Sequence, residues 1–72
     1  METIYVNLKS ELTQQMDAAT AQGFETYRTR TRCQCRYPSN RRSAVLCVKG
    51  GELVKVIIKC KGCTAQQKGG AL

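Results

Sequence analysis

The chain has 72 residues, five cysteines, no histidine and a formal net charge of +7 at pH 7. A domain this small buries a modest apolar core, so it usually needs a metal or disulfides to be stable. Its N-terminal residues do not form a secretory signal, and no stretch is long and apolar enough to span a bilayer. We therefore expect a cytoplasmic protein without membrane contact, in which cysteines more often bind metal than form disulfides.

The charge is divided unevenly along the chain. Residues 1–27 carry a formal charge of −3, whereas residues 28–72 carry +10. Every arginine lies between Arg28 and Arg42. This asymmetry predicts a basic surface that binds an acidic partner, and nucleic acid is the commonest such partner.

The first elements follow from side-chain periodicity. Residues 3–8 alternate apolar and polar side chains, which is typical of a half-buried strand. Ser10 suits the N-cap of a following helix, and Gly23 suits its end because glycine readily adopts the left-handed conformation. Residues 24–33 are rich in Thr, Tyr and Arg at alternating positions and predict a second strand.

Period two in this second strand separates its arginines from its other side chains. Arg28, Arg30 and Arg32 are predicted to share one face, with Tyr27 on the other. Residues 36–42 then form a loop, since Pro, Ser and Asn at its centre favour turns. Tyr27 and Tyr37 flank the arginines and could stack on unpaired bases, although a single Tyr is more often a residue at the edge of a core.

The pair Gly50–Gly51 predicts a β-hairpin between residues 43–49 and 52–60, because a type I′ turn needs positive φ at both positions. A two-residue turn places Cys47 opposite Val54. Cys47 would then lie on the sheet face that carries Cys60, but roughly 20 Å from it at about 3.3 Å per residue. We interpret Cys47 as a buried apolar residue rather than a metal ligand.

Together these elements predict an α+β fold in residues 1–64. An N-terminal strand and helix pack on a small antiparallel sheet that contains the C-terminal hairpin and ends in a zinc-ribbon-like site. Residues 65–72 lack periodicity and bulky apolar groups, so we expect a flexible tail.

The four other cysteines form two close pairs on either side of the predicted hairpin. The hairpin would bring both pairs to one end of the sheet, where four thiolates suit one zinc ion. Gly62 lies within the second pair and permits a tight turn there. The predicted metal ligands are Cys33, Cys35, Cys60 and Cys63.

Residues 33–63 resemble a zinc ribbon, and the segments RCQC and IIKCKGC are loosely similar to the small Com-type zinc-finger regulators of bacteriophages. The chain departs from the ribbon pattern in its first pair, which is Cys-x-Cys, and at Thr64, where a knuckle usually has glycine. The Com-type resemblance implies a zinc cofactor, RNA binding and translational control. Zinc ribbons more generally bind nucleic acid or protein.

Two other interpretations of the cysteines remain open. They could be unligated buried thiols, or a disulfide formed only on purification. A redox role is disfavoured, because a thioredoxin-like pair lies at the start of a helix after a strand, and residues 60–70 are a poor helical sequence.

The arginines also allow two interpretations. Arg32 and Arg36, with Lys59 and Lys61, flank cysteines and could offset the charge of about −2 on a four-thiolate zinc site. Alternatively, the planar guanidinium binds phosphate through paired hydrogen bonds, which favours nucleic acid. The predicted binding residues are Tyr27, Arg28, Arg30, Arg32, Arg36, Tyr37, Arg41 and Arg42.

We therefore predict a non-catalytic regulator that binds nucleic acid, RNA before DNA. The alternative is a regulator that docks on an acidic protein surface, such as RNA polymerase or another host enzyme, since arginine is also enriched at protein interfaces. No enzyme is expected, because histidine is absent and a four-cysteine zinc has no open coordination position.

Overall fold

The computed structural model describes residues 1–69, with side chains described through residue 65. Its elements are β1 (Glu2–Val6), α1 (Lys9–Ala21), β2 (Glu25–Thr31), β3 (Arg42–Lys49), β4 (Glu52–Lys59) and α2 (Lys61–Gly69). The predicted α+β class is confirmed, and the predicted order of the first five elements is correct.

The four strands form one mixed sheet in the order β1-β4-β3-β2. The β2–β3 and β3–β4 pairs are antiparallel, but β1 pairs with β4 in parallel, with Ile4 opposite Ile57. The predicted antiparallel sheet is thus present in β2, β3 and β4, and β1 joins its edge in parallel. The reason is that α1 carries the chain back along the sheet, so that β1 and β2 run in the same direction on either side of the hairpin.

Helix α1 covers one face of the sheet. Its Leu12 and Ala19 are buried against side chains from three strands. The cluster on this side, which we call the helix-side core, consists of Val6, Leu12, Ala19, Val45, Cys47 and Ile57. The opposite side carries a second cluster, the cysteine-side core, which consists of Cys33, Cys35, Ala44, Val56, Ile58, Cys60 and Cys63.

The ends of α1 follow local hydrogen bonding. Leu8, rather than the predicted Ser10, occupies the N-cap position, and its N–H donates to the Glu11 carboxylate at 3.0 Å. Gly23 follows the helix with φ +93°, and the Phe24 N–H donates to the Ala19 carbonyl at 3.1 Å. This is a Schellman end, so the prediction for Gly23 is confirmed.

The hairpin turn is also as predicted, with φ +62° at Gly50 and +79° at Gly51. The register then shifts between Cys47 and Val48, so that Cys47 lies opposite Lys55 instead of Val54. This β-bulge adds one residue to β4 and moves Cys47 to the other face. The predicted hairpin register is therefore wrong from Cys47 onward, and Cys47 packs in the helix-side core.

Helix α2 was not expected from the sequence. It begins at Lys61 and ends at Gly69, so it includes residues 65–69 of the segment predicted to be a flexible tail. Residues 70–72 of that segment lie outside the described residues. Its first turn is held at Cys60, whose carbonyl accepts hydrogen bonds from the Thr64 N–H at 3.0 Å and the Thr64 hydroxyl at 2.8 Å. Neither α1 nor α2 has the length and apolar character needed to cross a membrane.

Candidate metal centre and arginine positions

Four cysteine sulfurs meet at one end of the sheet. The Sγ atoms of Cys33, Cys35, Cys60 and Cys63 all lie within 4.8 Å of one another, and all four residues are buried. The Cys33–Cys35 and Cys35–Cys60 sulfur distances are 3.6 and 3.5 Å. Sulfurs bonded to a tetrahedral zinc at about 2.3 Å are separated by about 3.8 Å, whereas a disulfide is about 2.0 Å long. The four thiols therefore have the spacing of a metal site, and none of the five cysteines is in a disulfide.

The first pair lies in a tight loop after β2. The Cys33 N–H donates to the Ser39 carbonyl at 3.1 Å, and the Ser39 N–H donates to the Cys33 sulfur at 3.2 Å. These reciprocal bonds close the loop and direct a backbone dipole at the sulfur. Such bonds favour the thiolate form, which is the form that binds metal.

The second pair joins β4 to α2. The Cys60 N–H donates to the Val6 carbonyl at 2.9 Å, which continues the parallel pairing with β1 by one residue. The Cys60 sulfur accepts the Cys63 N–H at 3.4 Å, so it takes the place of an N-cap side chain for α2. The positive end of the helix dipole lies at this sulfur and favours a negative charge there.

This placement corrects one part of the sequence analysis. The Cys60–Cys63 pair does lie at the start of a helix after a strand, the arrangement that was thought to be missing. In redox proteins, a helix N-terminus next to a cysteine pair lowers the pKa of the thiol and so activates it. What distinguishes this site from a redox pair is the presence of Cys33 and Cys35, whose sulfurs complete a four-sulfur group with those of Cys60 and Cys63.

Gly62 is required for close approach rather than for its backbone conformation. Its φ is not positive, but a Cβ atom at this position would lie 2.9 Å from the Cys35 sulfur and 3.0 Å from the Cys35 Cβ. Real Cβ atoms essentially never approach so closely. The glycine thus lets α2 and the first cysteine loop come together around the four sulfurs.

Among the side chains described, through residue 65, Arg42 is the basic one that donates a hydrogen bond to a cysteine sulfur. Its Nε donates to the Cys33 sulfur at 3.4 Å, and its terminal nitrogen donates to the Tyr37 carbonyl at 3.1 Å. The guanidinium lowers the pKa of the Cys33 thiol to about 6. Sequence analysis had assigned Arg42 to partner binding. Arg42 lies opposite Thr31 in the β2–β3 pair, and Thr31 is two residues before Cys33. A correct prediction of this register would have placed Arg42 beside Cys33.

Four other basic residues had been predicted to neutralise the site because each is next to a cysteine in sequence. No hydrogen bond to sulfur is found from any of them within residues 1–65. Lys59 lies in β4, where adjacent side chains point to opposite faces, and the other three are exposed. These residues are Arg32, Arg36, Lys59 and Lys61.

Burial acts against ionisation of two of the thiols. It raises the pKa of Cys35, and it raises that of Cys63 to about 12. With Cys33 ready to ionise beside Arg42 and the Cys35 and Cys63 thiols protonated, the site gathers little negative charge when it holds no cation. Binding of a divalent metal would displace the remaining protons and compensate the buried negative charge.

Cys47 belongs to a different environment. It has no exposed surface, lies in the helix-side core, and is not part of the four-sulfur group. Burial raises its pKa, so it stays a neutral thiol. Its interpretation as a buried apolar residue agrees with this position, although the register used to reach it was wrong.

The prediction that Arg28, Arg30 and Arg32 share one face holds for Arg28 and Arg30 but not for Arg32. Arg28 lies opposite Val45 on the side of α1, and Arg28 and Arg30 line a groove of about 270 Å³ with Leu12. Arg32 instead lines a cavity of about 430 Å³ on the opposite side. Strand β2 ends at Thr31, so the alternation that places Arg28 and Arg30 together does not extend to Arg32.

The remaining predicted binding residues are exposed. Arg36, Tyr37 and Arg41 lie in the loop between β2 and β3, with Tyr37 72% exposed. Tyr27 is 51% exposed and lies opposite Leu46 on the face away from α1. Sequence analysis overlooked Tyr5, which is half-buried on that same face and packs against the cysteine-side core.

No family model, curated protein or solved structure matches this chain. The resemblance to zinc ribbons and Com-type regulators therefore stays a prediction. The described residues do establish a buried group of four cysteines that can bind a metal ion.

Proposed function

We propose that this protein is a non-catalytic, zinc-stabilised module that binds nucleic acid through its arginine-rich segment. The observation that carries the metal part is the group of four buried sulfurs within 4.8 Å. Four thiolates in a compact, closed arrangement are typical of structural zinc. The proposed ligands are Cys33, Cys35, Cys60 and Cys63.

Zinc would cross-link the loop after β2, which carries Cys33 and Cys35, to the segment after β4, which carries Cys60 and Cys63. Backbone N–H groups of Ser39 and Cys63 already point at the sulfurs of Cys33 and Cys60. Arg42 adds a positive charge beside Cys33. These three donors orient the ligands and reduce the cost of gathering negative charge in a buried site.

The nucleic-acid part rests on the charge of residues 28–72, which is +10. Arg28, Arg30, Arg32, Arg36 and Arg41 are all exposed. Unlike Arg42, none of them donates a side-chain hydrogen bond to another described residue. Their guanidinium groups are therefore available to bind phosphates.

Catalysis is not part of the proposal. A zinc bound by four cysteines has no open position for water or substrate, and the chain has no histidine to act as a general base. The Com-type resemblance likewise implies a regulator rather than an enzyme.

One observation favours a protein partner as the second candidate. Strand β2 is at the edge of the sheet and seven residues long, so one row of its backbone groups has no strand beside it. Such an edge can pair with an extended segment of another protein, and Arg28 and Arg30 would favour an acidic one. An acidic surface on RNA polymerase or another host enzyme would meet this requirement.

The first test is native mass spectrometry of the reduced protein before and after chelation, with circular dichroism of both samples. We expect one zinc per chain, and loss of folded structure when it is removed. A metal-free chain that remains folded would contradict the zinc-stabilised scaffold.

The second test uses fluorescence anisotropy with a labelled oligonucleotide. The double variant Arg28→Ala/Arg30→Ala should bind about tenfold more weakly or worse, with a smaller salt dependence, because two phosphate contacts are lost. The control Lys9→Ala/Lys49→Ala removes the same charge outside the arginine segment and should have a smaller effect. Equal losses in both variants would show a general charge effect and contradict the proposed surface.

A further inference from the structure

The sheet face away from α1 carries a cavity beside the cysteine-side core. A cavity of about 430 Å³ opens there, with Tyr5, Leu46 and Ile58 in its lining. These side chains come from β1, β3 and β4, so the cavity spans the middle of the sheet. Its polar lining residues include Thr3, Arg32 and Gln34.

Large apolar side chains extend this surface beyond the cavity. Tyr27 on β2 is 51% exposed, and Leu53 at the start of β4 is 43% exposed. Tyr27 lies directly opposite Leu46 in the β2–β3 pair, which places its ring beside the cavity. Large exposed apolar side chains beside a cavity are typical of a surface that binds a ligand or partner.

We propose that this open face binds the unpaired bases of single-stranded nucleic acid, with Tyr27 stacking on one base and Arg32 contacting a phosphate. The inference rests on the proposed nucleic-acid function. It adds the class of nucleic acid, and it assigns a second surface distinct from the groove of Arg28 and Arg30.

The chemistry of the cavity matches a nucleobase. A base has two apolar faces and a polar edge, and the cavity combines apolar side chains with the hydroxyls of Thr3 and Thr31 and the amide of Gln34. No acidic residue is among those found to line it in the described part of the chain. Its volume lies in the range of about 300–1,000 Å³ that is usual for small-ligand sites.

Other occupants fit less well. A second copy of the chain would also carry a charge of +7, so the two copies repel each other. An acidic peptide would bring several carboxylates over Leu46 and Ile58, where Arg32 is the one cationic side chain found to line the described cavity. A polyanion with flat apolar groups avoids both costs.

The proposal requires single strands because the faces of paired bases are covered by their neighbours in a duplex. Sheets that read nucleic acid through aromatic side chains therefore stack on unpaired bases. Tyr27 is suited to this because its hydroxyl donates to the Glu25 carboxylate at 2.9 Å. That bond restrains the ring before binding and reduces the entropy lost on stacking.

The experiment compares a labelled ten-nucleotide single strand with the duplex of the same sequence, by fluorescence anisotropy at fixed salt. The wild-type protein should bind the single strand more tightly. Tyr27→Ala should weaken single-strand binding by about 5- to 150-fold, the range for loss of one stacked base, and leave duplex binding unchanged. Tyr27→Phe keeps the ring and should restore most of the affinity.

Tyr37→Ala is the matched control, because Tyr37 is more exposed than Tyr27 but lies in the loop outside the sheet. It should change single-strand affinity by less than about twofold if stacking takes place on the sheet. A loss at Tyr37 equal to that at Tyr27 would overturn the assignment to the open face. Circular dichroism would verify that each variant is folded.

The remaining outcomes separate this inference from the proposed function. Equal binding of single strand and duplex, with loss only in Arg28→Ala/Arg30→Ala, would overturn the inference and leave the proposed function standing. A dimer in sedimentation that Tyr27→Ala dissociates would also overturn it, since a second copy would cover the face. No binding of either oligonucleotide by the wild-type protein would overturn the proposed function, and the inference with it.

Discussion

The two sides of the sheet are held together by different chemistry. In the helix-side core, five of six buried residues are hydrocarbon side chains, and Cys47 is the sixth. In the cysteine-side core, four of seven are cysteines, and the remainder are Ala44, Val56 and Ile58. One side is an ordinary apolar core, whereas the other is built around four thiols.

This difference shows how a 72-residue chain can be stable. The helix-side core gains free energy from burial alone, at about 25 cal/mol per Å² of apolar surface. The cysteine-side core has few large apolar groups, and its thiols gain most when a metal links them. Two buried cysteines, Cys47 and Cys60, should therefore respond very differently to the same substitution.

The largest expected effect comes from Cys60→Ala. Loss of one of four ligands should abolish stable zinc binding and with it most of the folding free energy that the metal supplies, for which about 10–16 kcal/mol is the apparent scale in structural zinc sites. The measurement is zinc content by native mass spectrometry, together with a thermal unfolding curve.

Cys47→Ala is the matched change in the other core. It removes one buried sulfur and should cost about 1 kcal/mol through a small cavity, with the zinc retained. Retention of zinc by Cys60→Ala, or its loss from Cys47→Ala, would show that the division between the two cores is wrong.

An intermediate effect is expected from Arg42→Gln. Removal of the charge beside Cys33 should weaken zinc binding by about 10- to 100-fold, the usual range for residues that support metal ligands. Competition with a chromophoric chelator measures this affinity. Arg41→Gln makes the same charge change at an exposed neighbour and should bind zinc like the wild-type protein.

Arg42→Gln should also change the pH dependence of zinc binding. Arg42 lowers the folded-state pKa of Cys33 to about 6, below the usual thiol value of about 8.5. The resulting stabilisation of the zinc-free fold is present above about pH 8.5 and is lost as the pH falls through 6. Without Arg42 the pKa rises, so protons should displace zinc at a higher pH. An unchanged pH midpoint for zinc release would contradict this role.

A small effect is also expected from Gly62→Ala. Alanine alone would favour the α2 helix by about 1 kcal/mol, but its Cβ would meet the Cys35 sulfur at 2.9 Å. We expect a net destabilisation of about 1–2 kcal/mol, because a sulfur fixed by metal cannot move aside. Thermal unfolding would measure the change, with exposed Lys61→Ala as the control in the same helix turn. A stabilised Gly62→Ala protein would mean that the two cysteine loops are not tightly joined.

Much of the fold was predictable because its signals are local. The period-two pattern of residues 3–8, the helix end at Gly23 and the Gly50–Gly51 turn each depend on a few adjacent residues. The grouping of the four cysteines followed from the hairpin alone, since any hairpin of that length returns the second pair towards the first.

What could not be predicted depends on non-local contacts. The parallel pairing of β1 with β4 is between opposite ends of the chain, and no local pattern specifies it. The bulge at Cys47 changes register without a Gly or Pro to mark it. The first turn of α2 has no helical periodicity and is set by hydrogen bonds to Cys60. The same limitation concealed Arg42, whose contact with Cys33 is set by strand register.

The pairing of β1 with β4 has a consequence for how the chain is made. Glu2 lies opposite Lys55, so β1 cannot form this pairing until β4 has been synthesised. The second cysteine pair follows immediately, which means that strand docking and metal capture become possible at almost the same moment. Long-range pairing of this kind slows folding. A metal ion bound at Cys60 would hold the end of β4 where the Cys60 N–H donates to the Val6 carbonyl of β1, so metal binding would favour this last strand pairing.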